Sequence, residues 1–376
     1  MISGLGAGAG FAAALAAGKS AVRGGEAPNA AIAEFKPETW LGPKGYRYMD
    51  RAARMLCVAS HLALEDAKWT VSSDTPDSEQ PGLFYGSMFS SAQSIIAFDW
   101  TAISEGPSMV SPLEFPNTVI SSPGGQAAIK YRLAGPNSTV CQGFSSSLHA
   151  VGQAQEFLQF GRAKRLLAGG CEAYGSEISQ AMRHMGFLGT GVRPFDPQSD
   201  GTIPGEGAGL WMLETAASAM ARGISPHLEV LGFGESQAEA PDPVSNALAI
   251  CQALDAAGIA ATQVGAIISS ASGIRGIDEA ERGAFRQVFG AGLEQVPMSA
   301  PKSLFGEALG ASGIFCGMAG ADALLTQHVP PTAGAVSGTG LRISSERQPF
   351  QGAYVLVNAL SYDGNSTALV LGLWER

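Results

Sequence analysis

The chain has 376 residues with 23 Lys and Arg against 33 Asp and Glu, a net charge of −10 at pH 7. Charged residues make up 15% and hydrophobic ones 45%, which excludes intrinsic disorder, since disorder needs high charge and little apolar content. Five scattered cysteines exclude a disulfide-stapled module, and the acidic balance without basic runs excludes nucleic acid as a main partner. The same sign opposes unaided docking of a strongly acidic carrier protein. The apolar start, Met1 to Gly10, lacks the basic flank of a signal peptide, and Lys19 interrupts it short of a membrane span, so no membrane association is expected and the cytoplasm is the expected compartment.

In chain order, Phe11 to Ala21 reads as a helix after a glycine-rich turn. Arg51 to Ala67 has Met55, Leu56, Ala59, Leu62 and Leu64 near helical spacing and is expected to be half-buried. Gly82 to Gly86 and Ser138 to Cys141 are short apolar runs, hence strands. Ser145 to Phe160 is a predicted helix, Arg165 to Gly170 and Leu210 to Leu213 are strands, and Glu214 to Arg222 is helical. After the strand Leu228 to Phe233 the pattern repeats. Asn246 to Ala257 is a helix, Val264 to Ser269 a strand, Gly276 to Val288 a charged helix, and Ser312 to Leu325 a helix rich in Ala and Gly. Tyr354 to Leu360 and Ala368 to Leu373 are the last strands. Strand–helix alternation on both sides of residue 225 points to two similar α/β halves, 1–225 and 226–376.

Arg193-Pro194-Phe195-Asp196 through Asp200-Gly201, then Gly205-Glu206-Gly207-Ala208-Gly209 with Leu213-Glu214, and Leu167 to Ala173 together resemble the β-ketoacyl synthases of the thiolase superfamily. Pro301-Lys302-Ser303 with Gly306, Gly310-Ala311 and Gly313 resembles the C-terminal catalytic loop, and Asn358 to Leu369 the final glycine-rich loop and strand. The matches keep their order over nearly the whole chain. The resemblance implies a five-layered αβαβα sandwich of two duplicated halves, paired as a dimer through a central strand.

Ketosynthase chemistry needs a thiolate at a helix N-terminus and two histidines that decarboxylate the extender and hold the enolate oxygen. In the family the cysteine lies nine residues after the glycine of a Gly-Pro pair; counting from Gly135 lands on Phe144. The first histidine precedes an aspartate by eight and a glutamate by eleven; Asp278 and Glu281 both point back to Ser270. The second follows the lysine by five, where Lys302 leads to Glu307. The glutamate that pairs with the family's lysine is replaced by Cys316, and the Gly-Phe-Gly-Gly gate by Ser361-Tyr362-Asp363-Gly364. Only Lys302 is retained, and it is expected to pair with Glu307 as a buried structural contact. With both histidines gone, the decarboxylase subfamily that carries glutamine for cysteine is excluded as well.

Other readings of the same residues are blander. Cys141 is a tempting displaced nucleophile, but in an apolar strand a thiol is usually a small buried hydrophobe. Ser145 to Ser147 lack an adjacent base and are expected to cap the helix that follows. His149 reads as a satisfied interior residue. His61, His184, His227 and His328 show no metal-like spacing, and Gly4 to Gly10 has no acidic residue at the dinucleotide position. Asp363 reads as a solvated loop residue.

Loss of the nucleophile and both histidines together resembles the chain length factors of type II polyketide synthases. That resemblance implies a non-catalytic subunit in a heterodimer with an active ketosynthase, and an acyl tunnel whose length is set near the interface. The atypical Phe144, with Gln142 two positions early, leans toward a polyene-type rather than an aromatic product. Pro112 to Gln126 corresponds to the interface region; Phe115, Thr118, Val119 and Ser122 would share one face if the segment were helical, and with Phe144 they are the expected tunnel residues. No cofactor is implied for this chain, because phosphopantetheine arrives on an acyl carrier protein that docks mainly on the partner. Two alternatives stay open: an active acyltransferase using Cys141, and a homodimeric pseudo-enzyme that binds an acyl chain.

Overall fold

The structure is a computed structural model that describes residues 1–25 and 28–374. Its N-terminal half contains β1 (Ile2–Ser3), β2 (Gly6–Ala7), α1 (Ala9–Ala16), α2 (Glu38–Leu41), α3 (Arg51–Asp66), β3 (Gly82–Gly86), α4 (Ala92–Ser104), α5 (Ser122–Tyr131), β4 (Asn137–Val140), α6 (Ser146–Gln159), β5 (Arg165–Glu172), α7 (Ser176–His184), β6 (Gly207–Glu214) and α8 (Ala216–Ala221). The C-terminal half contains β7 (Leu228–Gln237), α9 (Pro243–Ala257), β8 (Ala266–Ile268), α10 (Arg275–Phe289), β9 (Pro297–Ser299), α11 (Lys302–Phe305), α12 (Ser312–Thr326), β10 (His328–Val329), β11 (Arg342–Ile343), β12 (Gln348–Pro349), β13 (Tyr354–Leu360) and β14 (Asn365–Leu373).

Local chemistry accounts for the element ends. Asp50 accepts from Ala53 N at 2.7 Å and starts α3, and Asp242 does the same for α9 through Ser245 N at 2.7 Å. Pro243 fits the first turn of α9, and Gly258 in the left-handed region ends it. The sequence expected the first helix over Phe11 to Ala21. It stops at Ala16, where Gly18 turns the chain at φ 63°. Helices α4, α5 and α7 were not anticipated. The Glu214 end of the helix expected from Glu214 to Arg222 belongs instead to β6.

The first sheet has strand order β2-β1-β6-β5-β3-β4 and the second β11-β9-β8-β13-β14-β7. Reading β1-β6-β5-β3-β4 beside β7-β14-β13-β8-β9 gives the same sequence of pairings: antiparallel, antiparallel, parallel, parallel. The two halves are therefore duplicates of one α/β plan. Helices α3 and α5 cover the outer face of the first sheet, α9 and α10 that of the second, and α6 and α12 lie between the sheets in the central apolar cluster. This is the expected αβαβα, thiolase-like sandwich. The middle layer is thin because small residues allow close approach: a Cβ on Gly152 would collide with the Phe233 ring, and one on Gly313 would stand 2.8 Å from Leu148 Cγ. The one helical stretch apolar enough to cross a membrane among the described residues, Leu309–Thr326, is 78% buried as this core helix.

Candidate functional site

Each half delivers a strand into a turn and then into a central helix, and the two turns face each other between the sheets. On the N-terminal side β4 ends at Val140, and Gly143–Ser145 forms a 3-10 turn before α6. Gly143 has φ 54°, and its Cα faces Ser361 Oγ and the Asp363 carboxylate so closely that no side chain fits. Phe144 is buried, and its N–H donates to Ser361 Oγ at 2.9 Å. Its ring packs at 5.4 Å from Tyr362 and 6.2 Å from Phe187. Around it lie Ile178 and Met182 of α7, Ile277 and Ala280 of α10, Leu309 and Leu360, so both halves contribute to one apolar cluster.

The serines after Phe144 do not cap α6, a correction to the sequence expectation. Ser145 Oγ donates to Gln142 O at 2.7 Å and Ser146 Oγ to Gly143 O at 2.6 Å, while Ser147 Oγ accepts from Ile314 N of α12 at 2.9 Å. The preceding turn consumes the first two hydroxyls, and the neighbouring helix takes the third. Cys141 also departs from expectation. Lying one residue beyond the ladder of β4, it is exposed rather than buried. Partial burial and the negative Glu172 push its thiol up, which is the reverse of what a thiolate nucleophile requires.

On the C-terminal side Lys302 and Glu307 are 1% and 0% exposed, with Nζ 2.7 Å from Oε2. Glu307 Oε1 accepts from Leu309 N at 3.0 Å and Ser312 Oγ at 2.6 Å, so both carboxylate oxygens are used. Burial opposes the ammonium, but the Glu307 charge, aided by Cys316 and Glu281, holds Lys302 above its ordinary value. The ammonium also lies 5.5 Å from the centre of the Phe144 ring. Ser270 Oγ donates to Glu281 Oε1 at 2.9 Å and accepts from Leu360 N at 3.0 Å. Glu281 further accepts from Ser269 Oγ at 2.6 Å and Asn358 Nδ2 at 2.7 Å. Asp278 takes the N–H groups of Phe195, Ser272 and Gly273, yet burial pushes its carboxyl up to about 7.

The structure thus brings Phe144, Lys302 and Glu307 into one stack, with Ser270 held beside it through Leu360. Phe187 and Leu309 were missed by sequence reasoning. Phe187 carries no local signal, and Leu309 is notable only for a left-handed φ of 51°. His149 is buried as expected but only half satisfied. Its Nε2 bonds Gln153 at 2.9 Å, while Nδ1 stands 2.8 Å from Glu235 Oε2 without hydrogen-bond alignment. Burial pulls the ring down to about 4, with Glu156 pulling the other way, so it is neutral at pH 7. No cluster of three or more metal-type side chains occurs among the described residues.

The remaining expected site residues do not share one helical face. Phe115–Thr118 is a 3-10 turn, Val119 is extended, and Ser122 opens α5. Pro123, without an N–H, suits the start of a helix and cannot continue one arriving from Phe115. Phe115 and Val119 are exposed, Thr118 is half-buried and Ser122 is buried. Phe144 belongs to a different cluster.

Comparison with known proteins matches these observations to one lineage. The model of the β-ketoacyl synthase N-terminal domain matches residues 11–219, and that of the C-terminal domain matches 229–335. A 3-oxoacyl-[acyl-carrier-protein] synthase 2 of Rhizobium meliloti is 31% identical over 313 residues, covering 79% of this chain and 74% of that protein. The ishigamide ketosynthase/chain length factor structure superposes with TM-score 0.91 at 26% identity, over 100% of this chain and 97% of that one. A β-ketoacyl synthase from Burkholderia phymatum does so with TM-score 0.91 at 25% identity and the same coverage. Fold, duplicated halves and sequence agree, and the chain belongs to the β-ketoacyl synthase family.

Proposed function

We propose that this chain is a catalytically silent subunit of chain-length-factor type, which pairs with an active ketosynthase and shapes the acyl tunnel that sets polyketide length. The observation that carries the reading is the stack at the facing turns. A benzyl ring occupies the helix start assigned to the thiolate, Ser270 stands at the first histidine position, and Glu307, paired with Lys302, stands at the second. No group in that stack can form a thioester, and its acid–base groups, Lys302 and Glu307, are buried and paired with each other. The likeness to a structure of a ketosynthase with its chain length factor supports the same reading.

A partner surface is available. The outer edge of β4 has no partner strand among the described residues, and elsewhere in the same half α4 and the turns after it expose Ile96, Trp100, Ile103, Met109, Leu113 and Phe115. An open strand edge and a run of exposed apolar side chains each suit an obligate, apolar interface. Acyl carrier protein and its phosphopantetheine then meet the partner, in the cytoplasm. Phe115 belongs to these exposed residues, and Thr118, Val119 and Ser122 follow it along the chain, where a tunnel crossing the interface would end.

The test is reconstitution with an active ketosynthase partner. Thr118→Phe and Ser122→Phe are expected to shorten the product, read by mass spectrometry; unchanged length removes these residues from the tunnel. Acylation of this chain alone, mapped to Cys141, would replace the reading with that of an active transferase. A soluble homodimer that binds fatty acid in the absence of any ketosynthase would favour the pseudo-enzyme alternative.

A further inference from the structure

The parallel strands β8 and β9 have different surroundings at their two ends. Their C-terminal ends run into Ser269 and Ala300 and so into the facing turns, whereas their N-terminal ends border a separate cleft of about 440 Å³. Each strand is three residues long, about 10 Å at the usual rise, and that length separates the cleft from the stack. Local sequence makes the opening. Helix α10 stops at Phe289, and Gly290 at φ 53° turns the chain into the 3-10 stretch Gly290–Gln295. Around the cleft Val264, Pro297 and Phe350 are buried, and Val288, Phe289 and Val296 are half-buried. Phe350 is held close by a bare backbone: a Cβ on Gly265 would stand 3.0 Å from its ring. Gly292, by contrast, borders open space, because a Cβ there meets nothing within 4 Å.

One cation borders this apolar cleft, and no acidic side chain does. Arg342 of β11 stands opposite Pro297 in the ladder, and its Nη1 donates to Gln295 O at 2.9 Å. Among the described residues this is the only hydrogen bond of its side chain, and no carboxylate pairs with it. The local balance is thus positive in a chain whose net charge is −10.

We propose that this cleft is a binding site for a compact apolar monocarboxylate, with the carboxylate on Arg342 and the hydrocarbon body against Val264, Phe289 and Phe350. Small-molecule sites are clefts of about 300–1,000 Å³ with an apolar lining and a few polar groups that fix orientation, and this cleft has that size and make-up. A guanidinium meets a carboxylate through paired N–H donors, and Nε and Nη2 of Arg342 are left for that purpose. One cation selects one negative charge. The apolar residues then favour a hydrocarbon body over a polar one, since burial of apolar surface supplies the rest of the affinity. Because the cleft lies at the opposite ends of β8 and β9 from the facing turns, it is distinct from the acyl tunnel and independent of whether the chain is silent.

The experiment is fluorine NMR of para-fluorocinnamate titrated with the intact protein, with para-fluorocinnamyl alcohol as its uncharged counterpart. Saturable binding of the acid is expected, and at least tenfold weaker binding of the alcohol. Arg342→Gln should weaken the acid at least tenfold, and Gly292→Trp, which fills the cleft, should abolish binding. Both positions are exposed, so both variants should keep the parent urea midpoint. Thr118→Phe, on the tunnel side of the molecule, should bind like the parent. The proposal is overturned if the acid does not saturate on the parent, if acid and alcohol bind alike, or if the two cleft variants bind like the parent. Loss of binding in Thr118→Phe would assign the acid to the tunnel and overturn it as well. Acylation of the parent chain at Cys141 would end the non-catalytic reading and leave the cleft standing.

Discussion

The two halves of the molecule repeat one plan and yet fill their facing turns in different ways. In the N-terminal half the turn from β4 into α6 holds Phe144, an apolar ring packed among apolar neighbours. In the C-terminal half the turn from β9 through α11 toward α12 holds Lys302 and Glu307, two charges that neutralise each other out of water. Both solutions place buried side chains between the sheets. They differ in what they depend on: the ring needs matching volume, whereas the ion pair needs both partners present. Removing one ion strands the other, and removing part of a ring leaves a cavity.

The largest expected effect follows from that asymmetry. Glu307→Ala leaves an ammonium buried without its counter-ion and is expected to cost about 3–5 kcal/mol in urea denaturation. The paired replacement Lys302→Met with Glu307→Leu should recover most of it. A small loss for the single variant would remove the ion pair from the account of this turn. Phe144→Ala comes next, at about 3 kcal/mol from lost burial and an incompletely collapsed cavity. Its effect should be insensitive to salt, and a marked salt dependence would erase the contrast between the turns.

Acid–base behaviour separates the halves in sign. His149 of α6 sits at about 4 in the folded chain against 6.5 ordinarily, so the unfolded chain holds more protons between those values. Stability from this group is present above pH 6.5 and is lost as pH falls toward 4. Asp278 of α10 sits at about 7 against 3.8, so the folded chain holds the extra proton and stability falls as pH rises from 3.8 to 7. Melting temperature against pH should therefore lose part of its acid-side decline in His149→Gln and part of its opposite slope in Asp278→Asn; parallel curves for the two variants would contradict both assignments. The smallest effect on the isolated chain is expected from Phe115→Ala, within about 0.5 kcal/mol because the ring is exposed. The same change should weaken association with a ketosynthase partner, measured by co-purification. A loss of stability instead would make Phe115 part of the core.

Much of this molecule can be read in one dimension because periodicity and punctuation are local. Gly82 to Gly86 and Tyr354 to Leu360 are strands with the expected bounds, and Arg51 onward is a helix whose capping Asp50 immediately precedes it. Short apolar runs between glycines and half-apolar stretches at helical spacing need no tertiary information. Helix α4 escaped notice because its apolar residues, Ile96, Trp100 and Ile103, point outward, so its pattern does not mark a face toward the core. The condition that Phe115 to Ser122 be helical is not met: Val119 is extended, and Ser122 with Pro123 opens a new helix, which a proline suits only at its start. Cys141 was misplaced because one residue beyond a strand end changes a buried thiol into an exposed one.

What the sequence by itself determined is the alternation of strands and helices, the duplicated family plan and the identity of the residues at Phe144, Ser270, Lys302 and Glu307. Only the tertiary structure decided that three of these form one stack, that Ser270 is spent on Glu281, and that Phe187 and Tyr362 pack on Phe144. The physical reason is distance along the chain. The bond from Phe144 N–H to Ser361 spans 217 positions, and no local propensity encodes a contact that exists only after two sheets have closed around a shared layer of helices.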